Sequence, residues 1–279
     1  MRFRFLLLLQ LGIVTQVFSL TLYMKTDSYQ IGTVNTFRSV LSQQPSMELQ
    51  AAPFYVDLNT SLTIEIINLD TIAHELQWND FASGMIVSPL GSFILSRTFD
   101  QQKVFALVAS DFSAKTLGGS FAIIAGLPAA HRYYWNLYDL QTNISAPIAN
   151  QSLQDFPNPY RPNLFTINGY DYPLNMNDTL GIVNGQVGDS IYITVLNAGN
   201  MTHTLHFHGF HFKILSSTKN PFQVGWQKDS APVLPQDGMI LLIVPDKAGS
   251  YPVHDHNLTA VTTAGGYSGG MMTMLNIAP

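Results

Sequence analysis

Leu62-Thr63-Ile64-Glu65-Ile66-Ile67-Asn68 and Ser190-Ile191-Tyr192-Ile193-Thr194-Val195-Leu196-Asn197 decide the fold class. Each repeats with a period of two, is rich in β-branched residues and closes on an asparagine, the pattern of a strand ended by a turn. Further apolar runs at 93–99, 104–108, 121–124, 239–244 and 271–277 read as strands, separated by Gly, Pro, Asn and Asp turns at the spacing of a sandwich. Long amphipathic helical patterns are scarce. The sequence predicts an all-β protein.

The two halves echo one another. Each has an alternating strand ending in Asn (Asn68, Asn197) and then a histidine within about six residues (His74, His203). Each later returns to a glycine pair and a final apolar strand, Gly118-Gly119-Ser120-Phe121 in one half and Gly269-Gly270-Met271-Met272 in the other. A repeat on this scale predicts two copies of one β-sandwich, and 279 residues suffice for two domains of roughly 150 residues each. The expected division is a leader at 1–19, a first domain at 20–127, a linker rich in Pro, Asn, Gln and Tyr at 128–162, and a second domain at 163–279.

The leader is read from Met1-Arg2-Phe3-Arg4, a basic start, followed by an apolar run from Phe5 to Val14 and a small residue at Ser19. This is the pattern of a secretory signal cleaved after Ser19. Gln10 and Gln16 interrupt it, and it falls short of the roughly 20 apolar residues that a span needs. The expected location is secreted or periplasmic, with no membrane span in the mature chain. Asn-x-Ser/Thr triplets begin at Asn59, Asn143, Asn150, Asn177, Asn200 and Asn257; they are glycan acceptors only in a eukaryotic secretory pathway.

Composition removes several chemistries. Charged residues make up 11% of the chain, against about 25% in an ordinary soluble domain, and the net charge is −5. No Lys/Arg cluster offers a grip on nucleic acid. Cysteine is absent, which excludes disulfides, zinc–thiolate and iron–sulfur sites, cysteine nucleophiles and any blue copper centre, since that centre needs a thiolate.

The histidines are distributed unevenly. Of eight, four lie in His203-Thr204-Leu205-His206-Phe207-His208-Gly209-Phe210-His211 and two in His254-Asp255-His256. Residues i and i+2 of a strand share a face, so His206 pairs with His208 and His254 with His256. If the two strands are neighbours, four imidazoles converge, and neutral imidazole is the usual ligand of copper, zinc, iron or nickel. The alternative is that the four are held by hydrogen bonds alone. Met85, Met271, Met272 and Met274 read as core gap-fillers, His211 as a core-facing polar residue and His131 as a surface one.

The segment 203–212 resembles the H-x-x-H-x-H-G-x-x-F signature of multicopper oxidases such as laccases. Tyr251-Pro252-Val253-His254-Asp255-His256 resembles their H-C-H element, and Gly270-Met271-Met272 the G-M-M that follows it. Phe165 to Pro173, Trp226 to Pro235 and Pro245 to Gly249 resemble the frame between these motifs. The likeness is good over 165–279 and faint over 50–125. It implies two cupredoxin-like Greek-key β-sandwich domains. By family roles His206 and His74 are type 2 copper ligands, His208, His254 and His256 are type 3 ligands, and His203 is a type 1 ligand.

The departures are equally informative. Asp255 stands where the type 1 thiolate belongs, and Ala260 where the second type 1 histidine belongs. A second His-x-His pair expected in the first domain is replaced by Val108-Ala109-Ser110. The resemblance therefore implies a histidine-only copper site of one or two ions per chain, not a laccase. Asp255 is expected to hydrogen-bond His203. Without the blue centre, a small-molecule reductant or substrate would have to give its electrons directly to the patch. Two-domain relatives place the cluster between neighbouring subunits, so the resemblance also implies a homotrimer in which His74 of one subunit joins His206 of another. The competing readings are a metal-free cupredoxin scaffold that acts as an interaction protein, and a copper carrier.

Overall fold

Alternation at 60–68 produces a strand with Leu62, Ile64 and Ile66 buried and Thr63 and Glu65 turned outwards. The computed structural model describes residues 17–46, 51–263 and 265–279. Most of the expected leader, residues 1–16, lies outside these, and 17–19 form the first residues of a strand.

The first domain is built from β1 (Val17–Ile31), β2 (Val34–Ser42), β3 (Phe54–Val56), β4 (Thr60–Asn68), β5 (His74–Trp78), β6 (Phe81–Val87), β7 (Ser92–Phe99), β8 (Lys103–Ala109) and β9 (Phe121–Ala125). Two sheets, ordered β2-β1-β4-β7 and β3-β9-β8-β5-β6, enclose a core that includes Leu22, Ile64, Trp78, Phe99, Phe105 and Phe121. A short helix, α1 (Phe112–Leu117), follows β8 and is capped by the Asp111 carboxylate, which accepts from Ala114 N–H.

The second domain contains β10 (Arg132–Leu140), β11 (Leu164–Ile167), β12 (Val183–Gln186), β13 (Ile191–Asn197), β14 (His203–Phe207), β15 (Phe212–Ser217), β16 (Gln227–Lys228), β17 (Ser230–Val233), β18 (Gly238–Ile243), β19 (Gly249–Asp255) and β20 (Met272–Ala278). Its sheets run β11-β10-β13-β18-β15-β16 and β12-β20-β19-β14-β17. Trp135, Phe165, Phe207, Phe212 and Leu241 fill the space between them. The architecture is all-β, two cupredoxin-like sandwiches.

The stretch 128–162, expected as linker, carries β10, which pairs with β11 and runs parallel to β13. Tyr134, Trp135, Leu137 and Tyr138 of β10 are all buried. A strand covered on both faces loses its alternation, and with it its signature in the sequence.

Double coverage also explains β8 and β9. Their inner faces join the first core, while Val104, Ala106, Val108, Ala122 and Ile124 pack against Tyr134, Leu196 and Ile240 of the second domain. A Cβ on Gly238 would come within 2.6 Å of Val104 Cβ, so glycine there permits the close approach of β18 to β8. The domains thus meet through an apolar layer, sealed at its edge by Gln236, which donates to the Ala109 carbonyl and accepts from Gln77.

Candidate metal centre

β14 and β19 are antiparallel neighbours, and the register sets His206 directly opposite His254. His208 and His256 follow at the two strand ends on the same face. The His206 ring centroid lies 4.8 Å from that of His208, 5.6 Å from His254 and 5.5 Å from His256. His208 and His254 are 5.1 Å apart, while His254 and His256 are stacked at 6.5 Å. The four imidazoles form one patch, half-buried at His206 and His254 and exposed at His208 and His256.

His208 Nε2 stands 3.0 Å from His254 Nε2. Two nitrogens bound to one ion by bonds of about 2.0 Å, at angles between about 90° and 109°, stand about 2.8–3.3 Å apart. The pair is therefore at ligand spacing. Among the described residues no three His, Asp or Glu side chains already close round a single point. The donor set fits copper in its chemistry, being imidazoles on one face with no carboxylate among them.

Backing groups set which nitrogen faces the patch. His254 Nδ1 donates to the Asp255 carbonyl at 2.9 Å. A carbonyl can only accept, so Nδ1 carries a proton, and in the uncharged tautomer with this bond Nε2 carries the lone pair. His206 Nδ1 lies 2.7 Å from Ser230 Oγ on β17. Burial, together with the neighbouring His206 and His254, lowers the pKa of His208 below the ordinary histidine value. Each influence favours the neutral ring, the form that binds metal.

A cleft of about 310 Å³ adjoins the patch, lined by His206, Phe207, His208, Gly209, Phe210, His211 and Asp229. Larger clefts of about 370 and 600 Å³ are lined by no histidine, so the chemistry rather than the volume marks the site.

Residues 142–275 match the family model described as multicopper oxidase. The match lies within the second domain and covers just under half of the chain. Among solved structures, the blue copper oxidase from Nitrosomonas europaea is similar over 94% of this chain and 86% of its own, with a TM-score of 0.78 and 18% identity. The multicopper oxidase mgLAC gives 0.75 and 15% over 94% and 86% of the two chains. A copper nitrite reductase from N. europaea gives 0.73 and 14% over 94% of each chain. At these identities the likeness shows the fold alone. No curated protein matches the chain.

The matched region departs from the multicopper oxidase pattern at the type 1 position. His203 does not join the patch. Its Nδ1 is 2.6 Å from Asp255 Oδ2 and its Nε2 is 3.1 Å from Asp139 Oδ1, with all three side chains fully buried. Burial acts to lower the His203 pKa, but the hydrogen bonds and charges of Asp139 and Asp255 outweigh it and push the value up to about 9. The ring is a cation between two carboxylates, with no nitrogen left for a metal. Asp255 Oδ1 also accepts from Thr204 N and Asn257 N, tying β14 to the end of β19. The Asp255–His203 bond is the one expected from the sequence. Asp139, at the end of β10, is not legible as a partner, because it lies 64 residues from His203 and in the other sheet of the sandwich.

His74 also lies apart from the four. It opens β5 of the first domain, and its Nε2 is 2.7 Å from Asp70 Oδ2, a carboxylate that also accepts from Thr26 N. His211, expected to face the core, is exposed and lines the cleft. Met85 belongs to the first core and Met271 to the second, while Met272 and Met274 point outwards from the second sandwich. Sequence reasoning also missed Ser230 and Asp229. Their signal was the strand at 230–233, whose register sets Ser230 opposite His206.

Proposed function

We propose that the chain is an exported copper-binding protein of multicopper oxidase type, holding one or two ions on His206, His208, His254 and His256 and lacking a blue centre. The His208–His254 nitrogen spacing of 3.0 Å carries this reading. Bound there, copper supplies a one-electron couple and an open position for a small molecule. The chain's own residues present the unprotonated Nε2 of His254, keep carboxylates out of the donor set and leave one side of the patch open to the cleft with His211 and Asp229. Oxidoreductase activity would then draw electrons directly from a small reductant in that cleft. The N-terminal leader, cleaved after Ser19, would deliver the protein to the periplasm or the exterior. Among the described residues no helix is long and apolar enough to cross a membrane.

A homotrimer is part of the proposal, since it would bring His74 of one subunit towards the His206 of another once Asp70 releases it. Light scattering of the copper-loaded protein tests this: the mass of three chains supports it and a fully loaded monomer contradicts it. Copper binding itself is tested by metal stoichiometry after loading and dialysis. Retention abolished by His206→Ala/His254→Ala supports the site. No retention, or retention unchanged in the double variant, returns the chain to the scaffold reading, and weak exchangeable binding returns it to the carrier reading.

A further inference from the structure

We propose that Ser230 is a positioning residue for the histidine patch, acting through His206 without touching the metal; the inference rests on the copper reading above. Ser230 opens β17 and stands opposite His206 in the β14–β17 ladder, with its Oγ 2.7 Å from His206 Nδ1. An imidazole binds a metal through the nitrogen that lacks a proton. A metal on His206 Nε2 therefore requires the proton on Nδ1, and Ser230 Oγ is the acceptor placed to hold it there. Both residues are half-buried, which limits competition from water.

The four rings differ in this respect. His254 has its tautomer set by a backbone carbonyl, that of Asp255, which no side-chain substitution removes. Among the described residues no hydroxyl, carbonyl or carboxylate backs the ring of His208 or His256. Ser230 is thus the side chain whose loss changes the face a patch histidine presents while leaving all four imidazoles in place.

The test uses the full chain, ¹⁵N-labelled at histidine, with Ser230→Ala and Ser230→Thr. In the metal-free protein, ¹⁵N shifts place the His206 proton on Nδ1 for the wild type and for the threonine variant, which keeps the hydroxyl. The alanine variant gives mixed tautomers at His206 and unchanged signals at His254. In a copper titration against a competing chelator, Ser230→Ala weakens binding about tenfold or more, and Ser230→Thr restores it. A wild-type His206 proton on Nε2, or shifts and affinity both unmoved by Ser230→Ala, overturns the proposal. The two readings fail separately. Absence of copper binding in the wild type overturns the copper reading, whereas the metal-free spectra judge the hold of Ser230 on His206 whether or not copper binds.

Discussion

His208 Nε2 lies 3.0 Å from His254 Nε2, and the Asp255 carbonyl makes the His254 nitrogen of that pair a lone pair. In the neutral metal-free chain His208 must fill the gap by donating its own Nε2–H. Under the proposed copper reading, an ion held by both rings would take the place of that proton.

The rings should then rank by their place in the patch. His206 touches all three others, and His254 is held by the Asp255 carbonyl. His206→Ala and His254→Ala are expected to weaken copper binding about 100-fold or more, above the 10–100-fold span of losses in backing groups. His256 is exposed and 6.5 Å from His254, so His256→Ala should cost less than about tenfold. Competition titrations with a chelator read this order directly.

The pH behaviour of His208 follows from its neighbours. Burial, His206 and His254 all hold its pKa below the ordinary 6.5, so proton NMR of the metal-free chain should find a midpoint under that value. Replacing His206 and His254 by Gln removes two of the three causes and should move the midpoint upwards. A midpoint at or above 6.5 in the wild type contradicts this account of the patch.

His203 should behave in the opposite sense. Its pKa is raised to about 9 in the folded chain, against 6.5 for an unperturbed histidine, so it binds its proton more tightly when folded. The stabilisation is complete below about pH 6.5 and is lost as pH rises through about 9. A shift of this size corresponds to about 3 kcal/mol. Urea unfolding at pH 6 and pH 10 should show the loss, and His203→Gln should flatten it. Asp255→Asn should lower the His203 midpoint and narrow the loss between pH 6 and pH 10, because Asp139 alone then faces the ring.

Gly199 packs closely against Asp139 of the same triad. A Cβ at that position would fall 1.9 Å from Asp139 Oδ1, the oxygen that accepts from His203 and from Met201 N–H. Gly199→Ala should displace Asp139 and destabilise the chain by about 2–4 kcal/mol, with most of the effect absent in a His203→Gln background. Thermal melts of the two single variants and the double variant test that coupling.

Much of this was legible in the sequence wherever one face of a strand is buried and the other is not. Residues 62–68 and 190–197 announced β4 and β13, and the two His-x-His pairs announced a shared face on β14 and β19. β10 was hidden because Tyr134 and Trp135 are buried on opposite faces, which erases the alternation. Asp139 was hidden for a different reason: its partner His203 lies 64 residues along the chain, and only the tertiary fold brings the two together. Assigning His203 to the metal followed from family roles. A ring with both nitrogens on carboxylates can be recognised only once the fold has set Asp139 beside it.

The most direct test of the central claim is copper stoichiometry measured with an EPR spectrum on the loaded, dialysed chain, alongside His206→Ala/His254→Ala. The account predicts one or two coppers per chain, a type 2 signal or a silent coupled pair, no intense blue band, and loss of the metal in the double variant. A chain that retains no copper, or retains it equally in the double variant, contradicts the account.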